Sequence, residues 1–227
     1  MKQVDITVVE DATKAARIAA ERLVEQARAG GHVVLTGGST PRLAYELAAD
    51  LEPDWSRVEV WWGDERCVSP EDERSNYRLT KEALLNRLEQ QPLQTHRMRG
   101  ELGPEAGAKE YEDELDGVGV FDVVLVGLGP DGHVASLFPN LPALEIADRD
   151  AVGSAAGYEP FVDRITLTFP RLCSTSELVF LVTGEDKADA VARALVGEPS
   201  PETPGSLARA TEGTTRAVLD RAAAAKL

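Results

Sequence analysis

The sequence lacks any long hydrophobic run. No stretch approaches the roughly 18 apolar residues that a membrane-spanning helix requires. Charged side chains at Lys2, Asp5, Glu10 and Asp11 interrupt the N-terminal region, where a secretory signal would need an apolar core. We therefore expect a cytoplasmic protein with no membrane partner, and a chain of 227 residues suits a single domain over residues 1–227.

Cysteine and basic residues are also scarce. The chain has two cysteines, Cys67 and Cys173. A structural zinc needs roughly four ligands, and the spacing of the cysteines and histidines offers no such cluster. We expect reduced thiols and no metal. Lysine and arginine number 24 against 39 acidic residues, which gives a net charge of −15. Nucleic acid is therefore not an expected partner, whereas a small anion needs only a local basic cluster.

Strand and helix patterns alternate from end to end. This alternation predicts a single-domain, Rossmann-like, three-layer α/β/α sandwich with a mostly parallel sheet. The spacing predicts strands at 4–9, 32–36, 58–62, 121–126, 164–169 and 178–183, with a short one near 96–98. It predicts helices at 12–29, 41–51, 76–88, 104–115 and 185–195, loops at 139–159 and 197–205, and a helix, or a strand plus a helix, at 215–226.

Ligands of parallel sheets lie beyond the carboxyl ends of the strands, and the unusual residues of this chain follow such ends. The first group is Gly37, Gly38, Ser39 and Thr40, ahead of a predicted helix. The glycines permit a tight turn, the hydroxyls can cap the helix, and a helix N-terminus favours an anion. An ordinary strand–helix turn explains the same residues.

The second group follows the strand that ends at Trp62. This strand is followed by three charged residues, Asp64, Glu65 and Arg66. Burying a charged side chain near a core costs free energy unless it forms an ion pair or has a functional role. One interpretation is a solvated loop with a Glu65–Arg66 ion pair. The other gives Asp64 an orienting or proton-handling role and Arg66 an anion-binding one. Asn76 either faces the same cleft or caps the helix that begins there, and the cap is the simpler interpretation.

The third group contains Gly127, Gly129 and Gly132, which match the G-x-G-x-x-G pattern of dinucleotide sites. Pro130 stiffens the turn, Pro139 ends any following helix too early, and no acidic residue follows about 20 residues on, where a ribose would need one. The nucleotide interpretation is therefore disfavoured.

The same loop carries a candidate acid/base residue. His133 follows the glycines, Asp131 stands two residues away, and an imidazole can take and return a proton near neutral pH. We interpret His32 and His96 as structural. Two basic candidates remain in other loops: Arg164 opens a strand, and Lys187 either balances two neighbouring acids or reaches an anion.

Taken together, the segments resemble the bacterial 6-phosphogluconolactonases, which share a family with the glucosamine-6-phosphate isomerases. The matching segments are 35–41, 62–66, 75–77, 127–139, 164–167 and 184–188. In the isomerase and deaminase branch, an Ala-Phe-Asn-Glu-Pro type segment follows the histidine and supplies a catalytic Glu. Here the segment Ala135–Pro139 contains no carboxylate, which favours hydrolysis.

The resemblance implies hydrolysis of 6-phospho-D-glucono-1,5-lactone, a step of the oxidative pentose phosphate pathway, without metal or cofactor. It implies that His133 is the general base, with Asp64 beside it in the cleft; whether Asp64 or Asp131 supports the imidazole stays open. It places Arg66, Arg164 and Lys187 around the phosphate. Further substrate contacts are expected from Gly37, Gly38, Ser39, Thr40, Asn76 and Gly129.

Three alternatives accompany this expectation. A deaminase or isomerase would act on an amino-sugar phosphate, and a non-catalytic sensor would bind a sugar phosphate without turnover. A serine-nucleophile route is disfavoured because Ser39 and Ser136 have no evident partner base in the sequence. We expect a monomer or a weak homo-oligomer.

Overall fold

A computed structural model describes residues 3–227, in which strands and helices alternate. The strands are β1 (Val4–Val9), β2 (Gly31–Leu35), β3 (Val58–Trp62), β4 (Asp64–Arg66), β5 (Gln94–His96), β6 (Phe121–Val126), β7 (Ala151–Ser154), β8 (Arg164–Leu167), β9 (Thr175–Val182) and β10 (Thr214–Asp220). The helices are α1 (Ala12–Ala29), α2 (Ser39–Leu51), α3 (Asn76–Ala83), α4 (Pro104–Leu115), α5 (Phe169–Cys173) and α6 (Ala188–Leu195).

The main sheet has seven strands in the order β1-β10-β9-β6-β2-β3-β5, and every neighbouring pair is parallel. The chain leaves β2 toward β3 and leaves β6 toward β9, on the other side. The gap between β2 and β6 is thus a topological switch point, where parallel sheets bind ligands.

Two cores cover the two faces of this sheet. Val33 and Leu35 of β2 join the core formed with α1 and α2, whereas Val34, between them, joins the core formed with α4 and α6. Strands buried on both faces require the near-continuous apolar runs seen in the sequence. The predicted three-layer, mostly parallel α/β sandwich is confirmed.

The longest helix follows its sequence signals. The Asp11 side chain accepts a hydrogen bond from the Lys14 N–H at 2.8 Å, which caps α1, and Gly30 ends the helix with φ of 90°. A positive φ at this position favours glycine. The prediction of a helix over 12–29 is confirmed.

A second, antiparallel sheet departs from the prediction. It has the order β4-β8-β7. The strand predicted at 164–169 therefore belongs to this small sheet and ends at Leu167. The segment 139–159, predicted as loop, contains β7 and a 3₁₀ turn over Pro142–Glu145. Its four-residue strand is too short to produce a hydrophobic period.

Several element ends also differ. The helix predicted to Leu88 ends at Ala83 and is followed by a 3₁₀ turn, and the short strand near 96–98 lies at Gln94–His96. No helix closes the chain after β10. Instead, the Asp220 side chain accepts the Ala223 N–H at 2.7 Å in a turn.

The predicted single domain over 1–227 stays a prediction, and its first two residues lie outside the described part of the chain. Within residues 3–227, no helix combines the length and apolar character that crossing a membrane requires.

Candidate active site

A cleft of about 440 Å³ opens at the switch point, beyond the carboxyl ends of β2, β3, β6 and β9. All the predicted site residues except Asp131 line it. The lining includes Gly37, Gly38, Ser39, Thr40, Asp64, Arg66, Asn76, Gly129, His133, Arg164 and Lys187. The topology thus brings four distant loops together, as the strand-end argument predicts.

Asp131 lies behind His133 and orients it. Its Oδ1 is 2.6 Å from His133 Nδ1 and accepts the His133 backbone N–H at 3.1 Å. Burial acts to raise the pKa of Asp131, but the hydrogen bonds and charge of His133 outweigh it and hold that pKa below its ordinary value. An ionised Asp131 fixes the imidazole with Nδ1 as donor.

Asp64 has other partners. Its carboxylate accepts hydrogen bonds from Ser136 Oγ at 2.7 Å and from Asn76 Nδ2 at 3.2 Å. The Ser136–Asp64 hydrogen bond joins residues 72 apart in the sequence, so it was not evident from the sequence. Between the two carboxylates left open by the sequence, Asp131 is the one that contacts His133.

Gly129 is required by the position of the imidazole. A Cβ at this residue would lie 2.1 Å from His133 Nδ1 and 2.6 Å from Asp131 Oδ1. The Gly129 N–H also donates to the His133 carbonyl at 2.9 Å, which closes the loop. Gly127, two residues earlier, has open space at the same point. The absence of a side chain at Gly129 therefore leaves room for the His133 ring. No helix follows it over residues 127–141, unlike a dinucleotide fingerprint.

The basic residues of the cleft have unused hydrogen-bonding capacity. Arg66 Nε and Arg164 Nε are buried without a partner, as is Asn76 Oδ1. Burial, followed by the neighbouring charge of Arg66, lowers the pKa of Arg164. Two guanidinium groups with free donors are chemically suited to an anion, which would complete the hydrogen bonding of these buried atoms.

Lys187 lines the same cleft from a different element than predicted. It ends a 3₁₀ turn over Glu185–Lys187, and α6 begins only at Ala188. The predicted helix over 185–195 is therefore shorter. Lys187 Nζ pairs with Asp186 at 3.1 Å.

The α2 N-terminus closes the cleft from the side of β2. Gly38, with φ of 113°, is the N-cap and offers no side-chain bond, so the expectation that Ser39 or Thr40 caps the helix is wrong. Thr40 Oγ1 instead lies 2.6 Å from Thr183 Oγ1. The first backbone N–H groups of a helix have no partner within it, and Ser39, Thr40 and Pro41 of this first turn line the cleft.

Glu65 has a structural role that the sequence did not indicate. Its carboxylate accepts the backbone N–H groups of Arg66, Asn76 and Tyr77, at 2.7, 2.7 and 2.8 Å, and the Ser75 hydroxyl at 2.9 Å. The alternative interpretation, a solvated loop with a Glu65–Arg66 ion pair, is therefore wrong. Ser75, whose Oγ accepts the N–H of Arg78, caps α3, so the capping role suggested for Asn76 is also wrong, and Asn76 is free to face the cleft.

Metal ligands are not assembled here. In the described part of the chain, no group of three or more His, Cys, Asp or Glu side chains is arranged to hold a metal ion.

Comparisons with known proteins place the chain in a family. The family described as glucosamine-6-phosphate isomerases/6-phosphogluconolactonase matches residues 7–217. The chain belongs to this family. A 6-phosphogluconolactonase of Streptomyces coelicolor is 37% identical over 98% of this chain and 94% of its own length.

Solved structures give the same fold. A 6-phosphogluconolactonase from Thermotoga maritima superposes with a TM-score of 0.81 and 29% identity over 96% of this chain and all of its own. A monomeric glucosamine-6-phosphate deaminase superposes with a TM-score of 0.86 at 19% identity over 99% of this chain and all of its own. The second likeness concerns the fold alone, so the fold does not separate the two branches of the family.

Proposed function

We propose that this chain hydrolyses 6-phospho-D-glucono-1,5-lactone to 6-phosphogluconate, a reaction of the oxidative pentose phosphate pathway. One observation carries the proposal: an oriented imidazole, His133, shares a cleft with the unpartnered guanidinium nitrogens of Arg66 and Arg164. The first group can move a proton and the second can hold a phosphate. The name of the Streptomyces coelicolor relative supports the same substrate.

In the proposed reaction His133 acts as general base and then as general acid. Since Asp131 engages Nδ1, Nε2 accepts a proton from water, whose oxygen attacks the lactone carbonyl carbon. The bond from that carbon to the ring oxygen then breaks, and His133 returns the proton to the ring oxygen, which leaves as an alcohol. Such proton transfer contributes roughly 10²–10⁴-fold.

The remaining groups bind and orient the substrate. Arg66, Arg164 and Lys187 hold the phosphate through charge-assisted hydrogen bonds, and this remote binding energy positions the carbonyl against His133. Backbone N–H groups of a glycine loop stabilise the charge that develops on the carbonyl oxygen. The route uses no covalent intermediate, and Ser136 stays bonded to Asp64.

The deaminase alternative lacks its second acid/base group. Phe138 stands at the position of the Glu in the Ala-Phe-Asn-Glu-Pro type segment, and its ring lies 4.6 Å from the His133 ring. An apolar side chain there gives His133 no carboxylate with which to share the proton transfers of ring opening.

The test measures acid release from 6-phosphogluconolactone, corrected for spontaneous hydrolysis, with ammonia release from glucosamine 6-phosphate in parallel. We expect acid release far above the spontaneous rate and no ammonia. Ammonia release would support the deaminase instead. Binding of 6-phosphogluconate without either product would indicate a sensor.

A further inference from the structure

The segment 155–162, between β7 and β8, forms a wall of the cleft that the proposed reaction does not use. Tyr158 and Glu159 line the cleft, and the Tyr158 ring lies 5.9 Å from the His133 ring. Tyr158 is 44% exposed, although it stands beside the imidazole.

Arg164 ties this segment to the small sheet. Its Nη2 donates to the Tyr158 carbonyl at 3.2 Å and to the Pro160 carbonyl at 2.7 Å. A second contact comes from Phe138, whose Cγ would lie 2.5 Å from a Cβ at Gly157. The segment is thus seated by a cation on one side and by the ring that flanks His133 on the other.

The same guanidinium belongs to the anion site. Arg164 is 2% exposed, lines the cleft, and leaves its Nε without a partner. Arg66 is close enough for its positive charge to disfavour that of Arg164. The nearby carboxylates of Asp64 and Glu65 favour the Arg164 charge, and the Arg164 contacts with the segment are present despite the repulsion from Arg66. An anion bound to both guanidinium groups would offset that repulsion and strengthen the seating.

We propose that Arg164 couples phosphate binding to the position of Tyr158, so that the phosphate of the substrate raises the rate of turnover as well as the affinity. The inference rests on the proposed lactonase function. A dianion on Arg66 and Arg164 removes their repulsion and fixes the planar guanidinium. The fixed guanidinium holds the two carbonyls, and Tyr158 then closes against the lactone ring beside His133. Tyr158 is a positioning residue in this scheme, because it restricts the lactone and excludes bulk water.

The test presents the substrate in two pieces, unphosphorylated glucono-1,5-lactone and the phosphite dianion. For the wild-type protein we expect saturable phosphite activation of the corrected kcat/KM, by about 10-fold or more. Tyr158→Phe should keep this activation because the ring remains. Tyr158→Ala should lose it, and should lower kcat on the phosphorylated lactone more than it raises KM. Arg164→Ala should also lose the activation.

Phe161 supplies a matched control, since it belongs to the same segment, is 72% exposed and does not line the cleft. Phe161→Ala should keep phosphite activation. If the wild-type protein turns over the phosphorylated lactone but phosphite has no effect on the smaller one, the coupling is wrong and the lactonase stands. Unchanged activation in Tyr158→Ala would also overturn the coupling. If neither lactone is hydrolysed above the spontaneous rate, both proposals fail together.

Discussion

His96 and His133 both lie against carboxylates, but both ring nitrogens of His96 are bonded and only one of His133 is. On the face of the sheet that carries α4, His96 Nδ1 is 2.8 Å from Glu114 and its Nε2 is 3.0 Å from Glu59. Its ring stacks on Trp61 with centroids 3.7 Å apart and planes inclined by 5°. His133, in contrast, has one nitrogen on Asp131 and faces an open cleft.

The neighbours repeat this contrast. Trp61 Nε1 donates to His32 Nδ1 at 3.2 Å, so the group of His32, Glu59, Trp61, His96 and Glu114 is internally bonded. Around the cleft, Arg66, Asn76 and Arg164 each keep a buried atom without a partner. A satisfied polar group stabilises the fold, whereas an unsatisfied one costs stability unless a ligand completes it. The difference, more than the residue types, separates the structural histidine from the proposed catalytic one.

Among the changes that remove no cleft side chain, we expect Gly129→Ala to lower kcat the most. The new Cβ would meet His133 Nδ1 at 2.1 Å, so the imidazole must move, and a displacement of about 1 Å can cost roughly 100-fold in kcat. Gly119→Ala, at a glycine that does not line the cleft and whose added Cβ would meet open space, is the control. Steady-state assays of 6-phosphogluconolactone hydrolysis should separate the two. Equal rates would mean that the position of the imidazole does not limit turnover.

Arg66→Ala should act on affinity. Loss of a hydrogen bond to a charged group costs about 1.5–3 kcal/mol, which corresponds to a rise in KM of about 10- to 100-fold. Arg97→Ala removes a guanidinium that is bonded to Glu101 at 2.9 Å and lies outside the cleft, so its KM should be unchanged. An unaltered KM in Arg66→Ala would place the phosphate elsewhere.

His96→Asn tests the other side of the comparison. The variant loses its two carboxylate contacts and its stacking on Trp61, so we expect the free energy of unfolding to fall by about 1.5–3 kcal/mol. Its kcat and KM should match those of the wild-type protein at a temperature where both are folded. Denaturant unfolding gives the first quantity. A loss of activity without a loss of stability would contradict the structural assignment.

The smallest expected effect is the contribution of Asp131 to the free energy of unfolding at acidic pH. Its pKa is lowered in the folded state, so its ionised form contributes stability above the ordinary aspartate pKa of about 3.9, and this contribution is lost as the pH falls through the lowered value. The stability advantage of the wild-type protein over Asp131→Asn should therefore shrink below about pH 4. Unfolding measured at steps from pH 6 to pH 3 tests this. An advantage that grows in acid would mean that the carboxyl pKa is raised.

The sheet and the location of the cleft could be predicted from the sequence for a physical reason. Hydrophobic period and strand ends are local properties, and the carboxyl ends of parallel strands meet at one edge. The pairing of His133 with Asp131 could also be suggested from the sequence, because the two residues are neighbours in the chain.

Contacts between distant loops could not be predicted from the sequence. The Ser136–Asp64 hydrogen bond joins residues 72 apart, and Glu65 engages the start of α3 ten or more residues away. Nothing local in the sequence distinguishes Glu65, which is structural, from Asp64, which lines the cleft. The contact of Arg164 with the carbonyls of Tyr158 and Pro160 has no side-chain signal, since backbone acceptors are present at every residue.

The most direct test compares His133→Gln with His96→Gln in 6-phosphogluconolactone hydrolysis, corrected for the spontaneous reaction, with 6-phosphogluconate binding measured by calorimetry. We expect His133→Gln to lose about 10²–10⁴-fold in kcat and still to bind 6-phosphogluconate, while folded His96→Gln keeps the wild-type kcat. Near-wild-type turnover by His133→Gln would mean that His133 is not the general base.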